Sequence, residues 1–228
     1  TRRFLAAAGL TPLARNDAWI TCLDPALAGS VAPGLRGPED PLDAIHAAYG
    51  SAAPGDPLLA SQRADLLVWL PDDILHKADA ACMAHSLESR APLLDHRVVE
   101  LAMRIPVSLK LRAGRGKAIL REAFARDLPI EVIRRRKAGF GLPLDHWLRH
   151  ELAGYCRDLL LESRTLSRGI FSGEGIETML RDHVNGRENR EEAIWALVML
   201  EHWFRSALDA RRASAAPRAA AVNAPGIS

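Results

Sequence analysis

The sequence predicts a mostly α fold. Three observations predict it. Apolar residues recur at helical spacing in several separate stretches. Runs that alternate apolar and polar residues with a period of two are almost absent. Proline, glycine and acidic residues punctuate the chain where helices would start and stop. Residues 1–57 read as a loop-rich, partly helical segment, 58–210 as a helical region, and 211–228 as a disordered tail.

Taken in order, residues 29–57 are dense in breakers, among them Gly34, Gly37, Pro38, Pro41, Pro54, Gly55 and Pro57. Loops and turns are expected there around one short helix near 40–49. From Leu58 the apolar positions 58, 59, 66, 67 and 70 fit a 3.6-residue period. Pro71 then reads as a helix start, with Asp72 and Asp73 in the first turn where the helix dipole favours acids, and that helix runs to about His85. Asp95 begins another, with Val98, Val99, Leu101, Ala102 and Ile105 on one face and Pro106 beyond its end. A helix after Gly116 turns Ile119, Leu120, Ala123 and Phe124 inward. Pro129 and Pro143 open short stretches, the second bearing Trp147 and Leu148. The last long helix runs from Glu191 to about Ala210, and its Trp195 and Trp203 are expected in the core.

The chain has 228 residues, ample for a buried core, and its 48% apolar and 25% charged residues are ordinary for a globular protein. Disordered, collagenous and disulfide-scaffold compositions are excluded. Thirty basic residues against 28 acidic ones give a net charge of only +2. That balance, with no interleaved aromatics, argues against a nucleic-acid binder. No apolar stretch approaches membrane-spanning length, and no signal peptide is expected. Cys22, Cys82 and Cys156 are widely spaced and read as reduced thiols of a cytoplasmic protein. The first residue is Thr1, which predicts a processed product or a fragment. Only four of the basic residues are lysines, Lys77, Lys110, Lys117 and Lys137.

Basic charge is concentrated between residues 104 and 137, which carry eleven Arg or Lys against three acids, so the rest of the chain is net acidic. Two pieces of this window could face a phosphate. In Ala113-Gly114-Arg115-Gly116-Lys117, glycines let backbone N–H groups approach an anion just before a helix start. In Arg136-Lys137-Ala138-Gly139-Phe140-Gly141, a glycine loop presents a lysine. Neither has the full spacing of a P-loop, and solvated basic loops capping helices are the alternative. In 70–95 the polar groups Asp72, Asp73, His76, Lys77, Asp79, Glu88, Arg90 and Asp95 lie among apolar residues. Asp73, His76 and Lys77 share a helix face, while Glu88 and Arg90 fit either catalysis or an ion-pair network. No metal-ligand spacing occurs. Ser172-Gly173-Glu174-Gly175 looks like a ligand loop but reads as a helix cap before an amphipathic helix, 176–184.

The strings LPDDILHKADAACMAHSLESRAPLLDHRVVELAMRIP, LKLRAGRGKAILREAF and LPIEVIRRRKAGFGLPLDHWLR, in that order, resemble the C-terminal half of the synthetase domain of glutamine-hydrolysing asparagine synthetases. The resemblance is strong over 70–150, fainter to Trp203, and only general over 1–57. It implies the helical C-terminal portion of an α/β adenine-nucleotide α-hydrolase-like, ATP-pyrophosphatase synthetase domain. It implies an enzyme that uses ATP and Mg²⁺ to adenylate a carboxylate, by default aspartate, for attack by glutamine-derived ammonia. By match to the family's R-x-K-x-G-F motif, Lys137 contacts the phosphates at the acyl-adenylate stage, with Gly139 in the same loop. Lys117 and Arg115 are candidates for the same anionic pocket. Relatives that close β-lactam rings carry a catalytic acid on the helix begun by Asp72 and Asp73, and Asp73 is the equivalent position.

This chain departs from the pattern in several places. The family's KxDR is Lys77-Ala78-Asp79-Ala80, and its Pro-Phe-Leu-Asp is Pro92-Leu93-Leu94-Asp95. The ATP loop SGGxDS and the pyrophosphate segment SGEGxDExFxGY are absent; the SGEG at Ser172 lies on the wrong side of the Lys137 loop. The glutaminase domain, with its N-terminal nucleophilic cysteine, is absent too. The chain alone is therefore expected to be inactive, needing an N-terminal glutaminase and ATP-loop portion as partner. The rival readings are a non-catalytic helical interaction module, a subunit of a split synthetase, and a related carboxylate-adenylating enzyme of secondary metabolism.

Overall fold

Helices dominate, as the periodicity predicts. A computed structural model describes residues 7–35, 37, 40–52, 55–135 and 141–211, and the only sheet among them is a two-residue-per-strand hairpin. The chain divides into two compact units that interleave in sequence: Thr1–Ile20 with Gly37–Phe140, and Thr21–Arg36 with Gly141–Ser228.

The first unit is built on a continuous helical rod. Asp56 caps it, accepting from the Leu59 N–H at 2.9 Å, and Pro57 occupies the first turn, where it forfeits no hydrogen bond. The rod is α over Pro57–Ala64, π over Asp65–Leu75 and α again over His76–Met83. The sequence places a helix start at Pro71, but in the structure that proline lies inside the π segment. A proline ring collides with the carbonyl four residues back in an α-helix. The wider π turn moves that carbonyl aside, so the rod passes through. Helices Pro12–Ile20 and Asp43–Gly50 pack on the rod and are joined by His46 Nε2 to Asp17 Oδ2 at 3.0 Å. The second of these is the short helix expected near 40–49; the first, and the helix Pro25–Val31 of the other unit, have no counterpart among the helices expected from the sequence.

Asp95 caps the helix His96–Arg104 as expected, accepting from the Arg97 N–H at 3.0 Å, and Arg97 also lowers its carboxyl below the usual range through side-chain and backbone hydrogen bonds. The apolar faces, however, are not covered. In the helix Ala118–Ala123 and just after it, Leu120 and Phe124, expected inward, are 40% and 47% exposed. Among the described residues of this unit the buried side chains are all alanines: Ala7, Ala48, Ala60, Ala64 and Ala118.

The second unit holds the apolar core. Leu148 of helix Leu144–Arg149, Leu159 and Leu160 of Ala153–Leu161, Ile176 and Met179 of Gly173–Val184, and Ile194, Leu197 and Val198 of Glu191–Trp203 pack together with Val31 and Phe171. Ser172 caps its helix, its Oγ accepting from the Gly175 N–H at 3.2 Å, so the SGEG string is a cap as predicted. Segment 31–34 reaches this core by pairing with 170–172: Ser172 N donates to Val31 O and Gly34 N to Ile170 O, both at 3.0 Å. The approach is so close that a Cβ at Gly175 would lie 2.0 Å from Ser30 O, and one at Gly34 2.4 Å from Gly169 O. Only glycine fits either place. Trp195 and Trp203, expected in the core, are 42% and 52% exposed, because Ile194, Leu197 and Val198 already fill the buried face of their helix.

Candidate functional site

Within the first unit, the segment 113–117 is a hairpin rather than a loop. Strand β1, Leu111–Arg112, pairs antiparallel with β2, Arg115–Gly116. The turn residues Ala113 and Gly114 both have positive φ, 49° and 73°, the twist that a two-residue hairpin prefers. Lys117 is also left-handed, at φ 58°, and starts the six-residue helix Ala118–Ala123. The backbone there is thus committed to the turn and ladder rather than open as a loop of free N–H groups. Arg115 and Lys117 are exposed, and their side chains make no hydrogen bond or ion pair to a described residue.

The neighbouring cations are engaged. Arg112 pairs with Glu122. Arg121 donates from Nε to Gly116 O at 3.2 Å and from Nη1 to Ile133 O. One guanidinium therefore ties the carbonyl next to Lys117 to the helix Ile130–Arg134, which precedes Arg136 and Lys137 in the sequence. Lys137 and Gly139 themselves lie outside the described residues.

Asp73 sits in the π segment of the rod, half exposed, with Lys77 Nζ 3.7 Å from its Oδ1. The expected i, i+4 pairing of Asp73 with Lys77 is thus present. Glu88 and Arg90 pair with each other at 2.8 Å on the surface. Among the described residues no group of three His, Cys, Asp or Glu side chains could hold a metal ion. The Mg²⁺ implied by the resemblance finds no donor set here, and no step below runs through it. An open groove of about 390 Å³ lies between the rod and the helix His96–Arg104, lined by Ser51, Leu59, Arg63, Val99, Glu100 and Arg104.

The strongest electrostatic cluster was missed by sequence reasoning, and it lies in the second unit. Glu201 is wholly buried. Its carboxylate accepts from Arg168 Nε at 2.8 Å and Arg205 Nε at 2.7 Å. Arg168 also holds Asp209, with Nη2 2.8 Å from Oδ2, and its guanidinium lies 4.9 Å from the Phe204 ring centroid. Arg164 joins through Asp209 at 2.7 Å, and Arg205 reaches Glu162. Burial alone would push the Glu201 carboxyl up; hydrogen bonds from Arg168 and Arg205 outweigh it and hold the group below the usual range. Three guanidiniums meet three carboxylates and join residues 162–168 to residues 201–209 of this unit, so the cluster is a clamp. The i, i+4 pairs Arg164/Arg168 and Glu201/Arg205 were its only trace in the sequence.

His183 is the second buried group. Its Nδ1 accepts from the Arg190 N–H at 3.1 Å, while Nε2 is buried with no partner. Burial, then the cation of Arg149, lowers its pKa below the ordinary 6.5. The unfolded chain therefore binds the proton first as pH falls. Stability of this unit should be complete above pH 6.5 and should fall below it, by at most about 1.4 kcal/mol per pH unit from this group. Thermal unfolding of His183→Asn between pH 7.5 and 5 should show a flatter slope than the parent; equal slopes would refute the assignment.

Residues 12–205 match the asparagine synthase family model. The chain is 35% identical over 142 residues to asparagine synthetase (glutamine-hydrolysing) 1 of Bacillus subtilis, covering 62% of this chain and 22% of that protein. It is 33% identical over 174 residues to a Mycobacterium bovis protein provisionally named an asparagine synthetase (glutamine-hydrolysing), covering 76% and 26%. Amidase chry2 of Gibberella zeae is 28% identical over 145 residues, covering 60% and 21%. No solved structure matches. The chain thus spans about a quarter of the length of the curated relatives it matches. With the family model running from residue 12 to residue 205, through both units, the chain belongs to the asparagine synthase family.

Proposed function

We propose that these residues form the phosphate-facing part of an ATP-dependent ligase that adenylates a carboxylate, by default that of aspartate. The observation that carries this reading is the tether at Arg121. It holds the hairpin of Arg115 and Lys117, two cations without partners among the described residues, against the helix that precedes Lys137 in the sequence. A carboxylate oxygen attacks the α-phosphorus of ATP, the bond to the bridging oxygen breaks, and pyrophosphate leaves. Lys137 offsets charge that grows on the phosphates as that bond breaks, which is where a fixed cation accelerates a reaction most. Arg115 and Lys117 hold phosphate oxygens in both ground and transition states, and Gly139 lets the loop backbone come close. Ammonia then forms the amide bond while the acyl–oxygen bond to AMP breaks, and Asp73, beside Lys77, takes up the proton the nitrogen loses.

In this reading the release of ammonia from glutamine belongs to an N-terminal glutaminase, and the adenine-binding loop to the part of an ATP-pyrophosphatase domain whose helical C-terminal portion these residues form. The three free thiols, Cys22 exposed and Cys156 buried at the extremes, suit a reducing cytoplasm. The test is release of AMP and pyrophosphate by the complete gene product given ATP, Mg²⁺, glutamine and aspartate. Release that depends on the carboxylate is expected, and none is expected from the 228-residue chain alone. Pyrophosphate release by the chain alone, or carboxylate-independent release by the whole protein, would overturn the reading. The relative named an amidase favours a second version in which the acceptor is the carboxylate of a larger metabolite. In that case aspartate fails and the adenylation step stays.

A further inference from the structure

Lys110 ends the short helix Val107–Lys110, and strand β1 of the hairpin begins at the next residue. Its Nζ donates to Gln62 Oε1 at 2.8 Å, a partly buried bond that spans 48 positions of sequence. Gln62 lies in the Pro57–Ala64 part of the rod, which continues to Asp73 and Lys77. Among the described residues no other hydrogen bond or ion pair joins residues 107–123 to the rod, 57–83. The partner is also informative. Lys77 pairs with a carboxylate, but Lys110 meets a neutral amide and no carboxylate of a described residue. An ion pair between long side chains tolerates many geometries, whereas a hydrogen bond to one amide oxygen is directional. The contact therefore fixes a place and does not cancel a charge.

Arg121 holds the other end of the hairpin, through Gly116 O at the end of strand β2. The hairpin is thus pinned at its entry and at its exit; Arg115 lies between the pins and Lys117 follows the second. The pins lead to different scaffolds, Arg121 to the helix Ile130–Arg134 and Lys110 to the rod that carries Asp73. We infer that Lys110 is a positioning residue of the phosphate site: through Gln62 it seats the hairpin on the rod, so that the cations that hold ATP and the carboxylate that takes up the proton share one frame. The inference rests on the functional reading above. Lys110 acts through the hairpin and touches no substrate. A hairpin without this pin must be ordered each time ATP binds, and that cost appears as weaker ATP binding. Cleavage of the bond to pyrophosphate is assigned to Lys137, which follows the helix held by Arg121, so loss of the Lys110 pin spares the chemical step.

Steady-state kinetics of the complete gene product with ATP varied tests this. Lys110→Met and Gln62→Leu should each raise the KM for ATP about ten-fold and change kcat by less than about two-fold. The double variant should match either single variant, since both remove the same bond. Lys110→Arg, which keeps a charged donor, should recover most of the wild-type KM. An unchanged KM in Lys110→Met would overturn the inference, and so would effects that multiply in the double variant. A fall in kcat at unchanged KM would overturn it too, because that marks a smaller folded fraction and not a displaced hairpin. Hydrogen exchange of the 228-residue chain reads the seat without any activity. Backbone amides of 111–116 should exchange about ten-fold faster in Gln62→Leu, and equal exchange would sink the inference. If the wild-type complete product forms no carboxylate-dependent AMP, the proposed function falls, and exchange alone decides whether Lys110 seats the hairpin.

Discussion

Lys137→Ala should lower the rate of carboxylate-dependent AMP formation by about 10²–10³, the usual cost of removing one group aimed at charge that develops in a transition state. The loss should appear in kcat and in kcat/KM alike, because the lysine's contribution grows as the bond to pyrophosphate breaks. Lys137→Arg should recover little, since a planar fork does not replace a compact point charge. Lys117→Ala is the control within the same basic window. Its side chain leaves the hairpin at a left-handed residue and would hold phosphate before and after the reaction. Its loss should therefore raise the KM for ATP and leave kcat nearly unchanged. The discriminating measurement is steady-state kinetics of the complete gene product with ATP varied at saturating carboxylate. A Lys137→Ala enzyme with unaltered kcat would remove this lysine from the chemistry.

The parts of the molecule that follow from local rules were legible in the sequence. The cap at Asp95, the cap at Ser172 and the proline-opened turns at Pro129 and Pro143 each depend on a few adjacent residues, and each is where periodicity and capping put it. What depended on distant partners was not legible. The close crossing of Gly34 and Gly175 joins segments well over a hundred positions apart, and nothing local marks either glycine as a contact rather than a breaker. Trp195 and Trp203 were misplaced because their helix carries apolar residues nearly all round, and hydrophobicity alone does not say which face meets the core. Pro71 misled because a π turn can carry a helix through a proline. For the site, the hairpin cations and the Asp73–Lys77 face were in view, whereas Arg121 looked like one more charge in a basic run until its two carbonyl partners were seen.

Glu201→Ala should destabilise the second unit by about 3–5 kcal/mol, because it strands two guanidiniums that have lost water and keep only part of their partners. Arg168 would retain Asp209, and Arg205 would retain Glu162 and Thr165, but the buried side of each would face an empty space the size of a carboxylate. In a chain of this size that loss corresponds to a fall in melting temperature of roughly 10 °C. Asp209→Ala should cost less, since its carboxylate is 21% exposed and water can replace it. The pH dependence has a definite sign. Glu201 is held below the ordinary carboxylate range, so its contribution is complete at neutral pH and is lost as pH falls through its folded value, at acidity where the wild type should lose this unit cooperatively. Calorimetric unfolding of the three proteins at pH 7 checks the ranking. A Glu201→Ala variant within about 1 kcal/mol of the wild type would mean that burial of this carboxylate costs as much as its two arginines return, as happens when a buried ion pair adds little beyond a well-packed apolar contact.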